Sequence, residues 1–240
     1  MKGKSTNYVA NTHKVAQMIA LDFLEDLDAH DFIGPTLYDL TALKDIRMMY
    51  KPLNDANAEG FCAIGKGQKF LYVNTNFNVR LQNFTVAHEL WHIHLHDLPN
   101  VFNFNEIDIE RAADHFAANI LLPTKNVLNK YYHLKQSGKS ESEILFIIAD
   151  LSASPYEAVL KRFVELDINT KQIDEQLNTI TMRNEDPYIT LIEHKLQQLR
   201  CHLALAKSSL DTATKISMFP ELDSLKFYFS DKNSEAAKHD

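Results

Sequence analysis

The sequence is poor in cysteine: Cys62 and Cys201 are its only two among 240 residues, and they stand far apart without a C-x-x-C spacing. Such sparse cysteines provide neither a disulfide framework nor a thiolate zinc site. They indicate reduced thiols in a cytosolic protein. Any zinc bound by this chain is therefore expected on histidine and carboxylate ligands.

Basic residues are also scarce, since 25 Lys and Arg stand against 32 Asp and Glu and the formal net charge is −7. This balance argues against general binding to nucleic acid or to a membrane surface. No stretch approaches the roughly 20 apolar residues of a membrane-spanning helix. The polar residues 1–5 lead into no apolar signal segment. The sequence therefore predicts a cytoplasmic protein without a membrane partner.

An HExxH pattern begins at His88, inside a segment that is apolar on almost every side. Residues four apart lie on one face of a helix, so the imidazoles of His88 and His92 can bind one metal ion. Glu89, one step round the helix, can reach a water on that ion and take its proton. Burying these side chains is costly without compensation, and no cation close in sequence can pair with Glu89. The pattern predicts a zinc site with Glu89 as general base.

A zinc site of this kind needs a third protein ligand. His96 is excluded, because the eight residues that separate it from His88 rise about 12 Å along a helix. Glu110 is the better candidate, and it shares one face of a predicted second helix with Asp114 and several alanines. The small residues let that face approach the histidine helix, so that Asp114 can accept a hydrogen bond from a ligand imidazole. Glu106 is the alternative ligand. In a further alternative, Glu110 and Asp114 bind no metal and only pair with Arg111 or face solvent.

Two segments, HELWHIHLH over 88–96 and ERAADHFAANILLP over 110–123, together resemble the ImmA/IrrE family of zinc metallopeptidases. The resemblance covers roughly residues 10–170. It implies the glutamate-zincin site of thermolysin, with zinc on two histidines and a downstream glutamate and with the HExxH glutamate as general base. It also implies a protein substrate, a transcriptional repressor or similar regulatory protein that is cut in response to a stress or mobile-element signal.

The chain departs from the family's pattern at two positions. Trp91 stands where the family usually has glycine, which predicts a narrower or differently shaped cleft beside the metal. Ala112 stands where a second glutamate is common, which leaves Glu110 as the matching ligand. A hydrogen-bond donor should also stabilise the oxyanion, and the candidates are His94, His96 and His115. His96 could equally be a packed, hydrogen-bonded core residue.

The fold class expected is α+β: a mostly helical zincin-like core with a small antiparallel sheet, which the resemblance implies. A first helix is expected from Thr12, after a loose start over residues 1–11, and a second over 37–46. Residues 47–52 are expected to form an edge strand, followed by a hairpin around 65–68. An edge strand over the cleft can hold substrate through main-chain hydrogen bonds, the alternative being plain structural cover.

Three segments are expected: a metallopeptidase core over 1–135, a helix-turn-helix-like unit over 136–170, and a tail over 171–240. In the second segment, Ser154 is expected to cap a helix that starts at Pro155. Acidic residues outnumber basic ones six to three from position 139 to 167, so packing against the core is favoured over DNA binding.

The tail is expected to hold a polar linker over 168–185, a long helix and a partly disordered end. The helix has an apolar heptad seam over 189–213, which favours either a homodimeric coiled coil or packing against the body.

Overall fold

The computed structural model describes residues 2–26, 31–55, 57–97, 107–168, 173–184, 186–195 and 199, without the side chains of 2–7 and 173–176. The chain divides into two compact units, Met1–Leu191 and Ile192–Asp240. The first unit contains α1 (Lys2–Asp26), α2 (Leu37–Leu43), β1 (Ile46–Lys51), β2 (Gly60–Gly65), β3 (Gln68–Asn74), α3 (Val79–Asp97), α4 (Ile109–Leu121), α5 (Thr124–Gln136), α6 (Glu141–Ser152), α7 (Tyr156–Glu165) and α8 (Ile173–Asn184). This mostly helical α+β fold confirms the predicted class, while the three segment boundaries stay predictions.

The sheet has the strand order β1-β3-β2. The hairpin of β2 and β3 is confirmed, as is the edge position of β1. The expected all-antiparallel sheet is wrong, because β1 runs parallel to β3. Between β1 and β2 the chain must cross to the other edge of the sheet. Buried Asn74 secures that crossing: its amide oxygen accepts from the N–H of Leu53, and its amide nitrogen donates to the carbonyls of Leu53 and Ala58.

The core is built around α3, which packs against α4 on one side and the sheet on the other. Trp91 of α3 and Phe23 of α1 both contact the ring of Phe116 on α4, at centroid distances of 5.5 and 5.4 Å. All three side chains are almost completely buried. Offset aromatic contacts of this kind contribute about 0.5–1.5 kcal/mol each beyond area burial. They fix the spacing of α3, α4 and α1, the first two of which carry the candidate site.

The turn between α6 and α7 is packed against α3. Arg80 of α3 donates to the carbonyls of Ala149 and Ser154 and forms an ion pair with Asp150. Asn83, one turn further along α3, donates to the carbonyl of Ala153. The turn of the helix-turn-helix-like unit is therefore buried against the helix that carries the HExxH pattern.

Gly34 provides a test of this packing, because a methyl group there would lie 1.8 Å from the carbonyl oxygen of Ser152. We expect Gly34→Ala to destabilise the protein by about 1–3 kcal/mol or more, since neither backbone segment can move without disturbing the α6–α7 turn. Gly65→Ala is the matched control, because nothing lies within 4 Å of a methyl group at Gly65. Thermal unfolding measures both, and equal midpoints would contradict the packing described.

Several predicted boundaries are wrong, each for a local reason. Residues before Thr12 are helical rather than loose, and Thr12 does not cap α1: its hydroxyl donates to the carbonyl of Tyr8, one turn earlier, and accepts from the N–H of Asp108. The second helix ends at Leu43 rather than 46, because Asp45 adopts a positive φ of 55° and β1 begins directly after it.

The start of α7 also differs from the expectation. Ser154 is buried and its hydroxyl donates to the carbonyl of Ser152 at 3.4 Å, so Ser154 does not cap the helix. Pro155 occupies the N-cap position, without a side-chain hydrogen bond. Part of the segment expected as a linker over 168–185 is the helix α8. Its Arg183 donates to the hydroxyl of Tyr156, which ties α8 to α7.

The predicted helix start at Asp186 is present. The carboxylate of Asp186 accepts from the N–H groups of Tyr188 and Ile189, and residues 187–195 are helical. Of the seam, Ile189 is half-buried and Ile192 and Leu199 are exposed, while Leu196 and the positions from 203 to 213 lie outside the described residues. Dimerisation through this helix stays a prediction. Within the described ranges, no helix is both long and apolar enough to cross a membrane.

Candidate metal centre

The side chains of His88, His92 and Glu110 meet where α3 faces the first turn of α4. The Nε2 atoms of the two histidines lie 3.3 Å apart. The Glu110 carboxylate oxygens lie 3.3 Å from His88 Nε2 and 3.7 Å from His92 Nε2. Ligands at about 2.0–2.1 Å from a tetrahedral zinc are about 3.3–3.4 Å from one another. The three side chains therefore fit a single ion and could hold it as a group.

Asp114 determines which ring nitrogen of His88 carries the proton and which one faces His92 and Glu110. Its carboxylate lies 2.9 Å from His88 Nδ1. An ionised carboxylate only accepts hydrogen bonds, so in neutral His88 the proton sits on Nδ1 and the lone pair of Nε2 faces His92 and Glu110. Burial alone would lower the pKa of His88, but the hydrogen bond to Asp114 and the nearby carboxylates outweigh it and raise the pKa. The two imidazoles and the carboxylate together could hold a cation.

Glu89 is half-buried beside His88, and its carboxylate accepts a hydrogen bond of 2.9 Å from the backbone N–H of Cys62 on β2. The sequence argument considered only cations close in sequence and did not predict this hydrogen-bond partner. The partner is a main-chain amide 27 residues earlier, which no side-chain pattern reveals. The only feature of the sequence that could have indicated this contact was the expected edge strand over the cleft. This bond fixes the direction in which the Glu89 carboxylate points.

The Cys62 side chain lies next to the same carboxylate. Burial, together with its hydrogen bond to Glu89, raises the pKa of the Cys62 thiol to about 12. A thiol with this pKa stays protonated at neutral pH, and the thiolate is the form that ligates metal or attacks carbonyls. Cys62 therefore acts here as a neutral neighbour of Glu89.

The other predicted residues lie apart from this group. His96 is exposed, with Nδ1 3.6 Å from Asp97, so it is not a packed core residue. His94 contacts the edge of Phe23 on the α1 side, and the His115 ring lies at a tilt against the ring of His13. Burial and the neighbouring His13 lower the pKa of His115. Among the described residues, only His88, His92 and Glu110 form a group suited to a metal.

The sequence also predicted that Trp91 lies beside the metal, and it left Glu106 as the alternative ligand. Trp91 does not shape the cleft, because its ring is fully buried in the core against Phe116 of α4. Its indole N–H has no hydrogen-bond partner among the described residues, a cost of roughly 1–3 kcal/mol. Glu106, the alternative ligand, lies outside the described residues.

Residues 43–163 match the family model Peptidase_M78, described as an IrrE N-terminal-like domain. The chain belongs to the Peptidase_M78 family. The resemblance to ImmA/IrrE proteins is thereby confirmed, and the chain is assigned to a family of peptidases. No curated protein matches the chain.

The match places the candidate metal centre inside the Peptidase_M78 domain. Both halves of the centre, on α3 and α4, fall within the matched residues. The match continues through α6 and most of α7, so it covers most of the predicted helix-turn-helix-like unit. This agrees with the burial of its turn against α3.

Proposed function

We propose that this protein is a zinc-dependent endopeptidase that cleaves a regulatory protein, a transcriptional repressor or a protein of similar kind. The observation that carries the proposal is the meeting of His88, His92 and Glu110 at 3.3–3.7 Å, with Glu89 beside them. Membership of a peptidase family supports it. The two widely spaced cysteines support a cytoplasmic location.

Zinc held by these three side chains would supply a Lewis acid that lowers the pKa of a water molecule and polarises a peptide carbonyl. Glu89 accepts the proton of the attacking water and passes it to the leaving amine. The Cys62 N–H holds the Glu89 carboxylate in a fixed direction for both transfers. Asp114 keeps the proton of His88 on Nδ1, so that Nε2 stays available as a ligand.

The edge of β2 is suited to hold the substrate. β2 lies at one edge of the sheet, and the Cys62 N–H points away from β3 towards Glu89. Backbone groups alternate in direction along a strand, so those of Gly60 and Ile64 point the same way. An extended peptide can pair with this edge through main-chain hydrogen bonds. The scissile bond would then lie next to Glu89.

A catalytically silent, zinc-stabilised scaffold that binds a partner protein is the second candidate. The hydrogen bond between Cys62 and Glu89 favours it, because it gives Glu89 a structural role that needs no chemistry. The buried turn between α6 and α7 leaves a protein rather than DNA as the expected partner in either case. Quantitative zinc without turnover of any bound partner would support the scaffold.

Partner trapping separates the two candidates. The Glu89→Gln variant, immobilised in cell extract, should retain a protein that the parent releases as fragments, and mass spectrometry identifies both. An endopeptidase predicts one intact protein on the variant and defined cleavage products with the parent. Intact protein on both would favour the scaffold and contradict the endopeptidase.

A further inference from the structure

A cavity of about 670 Å³ adjoins the candidate metal centre. It lies between α3, α4 and α7, and three of its lining residues connect it to the centre. Phe84 is one helical turn before His88, Arg111 directly follows Glu110, and Asp114 both lines the cavity and bonds to His88. A peptide bound across the centre therefore has space for a side chain or a chain end in this cavity.

The carboxylates that line the cavity already have partners. Asp114 is hydrogen-bonded to His88. Glu165 accepts from the buried Arg162 at 2.7 Å, so this pair is electrically neutral. Glu157 accepts from the side-chain amide of Asn184 on α8 at 2.8 Å. A ligand that brings another carboxylate would not have to displace any of these bonds.

Two cations that line the cavity differ from the carboxylates. Arg111 on α4 and Lys161 on α7 line the cavity from two sides, and both are exposed to solvent. Within the described part of the chain, neither side chain has an ion pair or a hydrogen bond. Arg111 presents a planar fork that matches a carboxylate, and Lys161 adds a mobile point charge. The cavity therefore holds two cations that are free to bind an anionic group next to the candidate metal centre.

We propose that this cavity binds a carboxylate of the substrate through Arg111 and Lys161, and so makes the protein selective for peptides that place a carboxylate there. The inference rests on the proposed peptidase function and names its substrate class. The carboxylate could belong to an Asp or Glu side chain or to the C-terminus of the peptide. Both present the same chemistry to the two cations.

Peptide hydroxamates are the probe, because they bind a zinc centre without being cleaved. Each has a hydroxamate group followed by three residues and a C-terminal amide. Glu, Gln or Ala occupies one of the three positions, and one further all-alanine peptide ends in a free carboxylate. Calorimetry on the zinc-loaded protein gives the affinities. We expect Glu to bind about tenfold or more tightly than its uncharged isostere Gln at one position, the scale of a charge-assisted hydrogen bond.

Variants assign the preference to the two cations. Arg111→Gln and Lys161→Gln should each reduce the Glu-to-Gln ratio several-fold, and the double variant should bring it close to one. Lys125→Gln is the matched control, since Lys125 is an exposed cation on α5 that does not line this cavity. Zinc content and the unfolding midpoint are measured for all variants. Raising the salt concentration should also reduce the ratio in the parent.

Three other results of the hydroxamate experiment are possible, and each has a different interpretation. If the free carboxylate of the alanine peptide binds tightly instead, and the preference depends on the same cations, the cavity binds a chain end. If the alanine amide binds but neither Glu nor the free carboxylate improves affinity, the carboxylate site is wrong and the peptidase proposal stands. If no hydroxamate binds to the zinc-loaded protein, both proposals fail.

Discussion

Replacing Glu89 with glutamine should reduce proteolysis of the trapped partner by about 10²–10⁴-fold, the contribution typical of a general base. Glutamine has nearly the same shape and keeps an oxygen that can accept from the Cys62 N–H. It cannot take a proton from water. Zinc content and the unfolding midpoint should therefore match those of the parent. Initial rates on the partner, followed on gels, give the measurement.

Glu89→Ala separates the two roles that the structure gives to this side chain. Alanine removes the base and also leaves the Cys62 N–H without its acceptor. We expect activity to fall as in the glutamine variant, and the unfolding midpoint to fall as well, because the half-buried Cys62 N–H loses its hydrogen bond to a carboxylate. If the glutamine variant cleaves as fast as the parent, Glu89 is not the base and the mechanism is wrong.

Replacing Glu110 with alanine should reduce the zinc content of the purified protein nearly as much as replacing His88. Both variants leave only two of three ligands, since the three side chains lie within 3.3–3.7 Å of one another. Asp114→Asn should have a smaller effect, a loss of about 10–100-fold in zinc affinity, because it weakens only the hydrogen bond that orients His88. Elemental analysis and zinc titration measure the series.

His96→Ala is the control for this series. His96 is an exposed histidine on the same helix and lies next to Asp97 rather than the metal group, so its removal should leave zinc binding unchanged. Undiminished zinc in the Glu110→Ala variant would instead assign the third ligand to Glu106 or refute the centre.

Local spacing was sufficient to predict the histidine pair and its glutamate. The four-residue step between His88 and His92 determines their shared face on any helix, whatever surrounds it. The second helix was predictable for the same reason, and its residues Glu110 and Asp114 do meet His88 in the structure. The two-part motif also predicted the family, which the match over residues 43–163 confirmed.

The features that the sequence did not predict depend on contacts between distant segments. Trp91 departs from the family's pattern, yet only the packing of α3 on α4 places its ring in the core instead of the cleft. The parallel pairing of β1 follows from the path of a loop that Asn74 fixes from another strand. A periodic pattern shows which face of an element is apolar, but not which partner covers that face.

The sequence by itself therefore determined the family and indicated the candidate metal ligands and the candidate base. Only the tertiary structure decided the surroundings of that chemistry. It placed the Cys62 N–H on Glu89, exposed His96, and put Arg111 and Lys161 in the lining of one cavity. The physical reason is that spacing along a helix is set by local backbone geometry, whereas these contacts depend on how separate elements pack across the whole core.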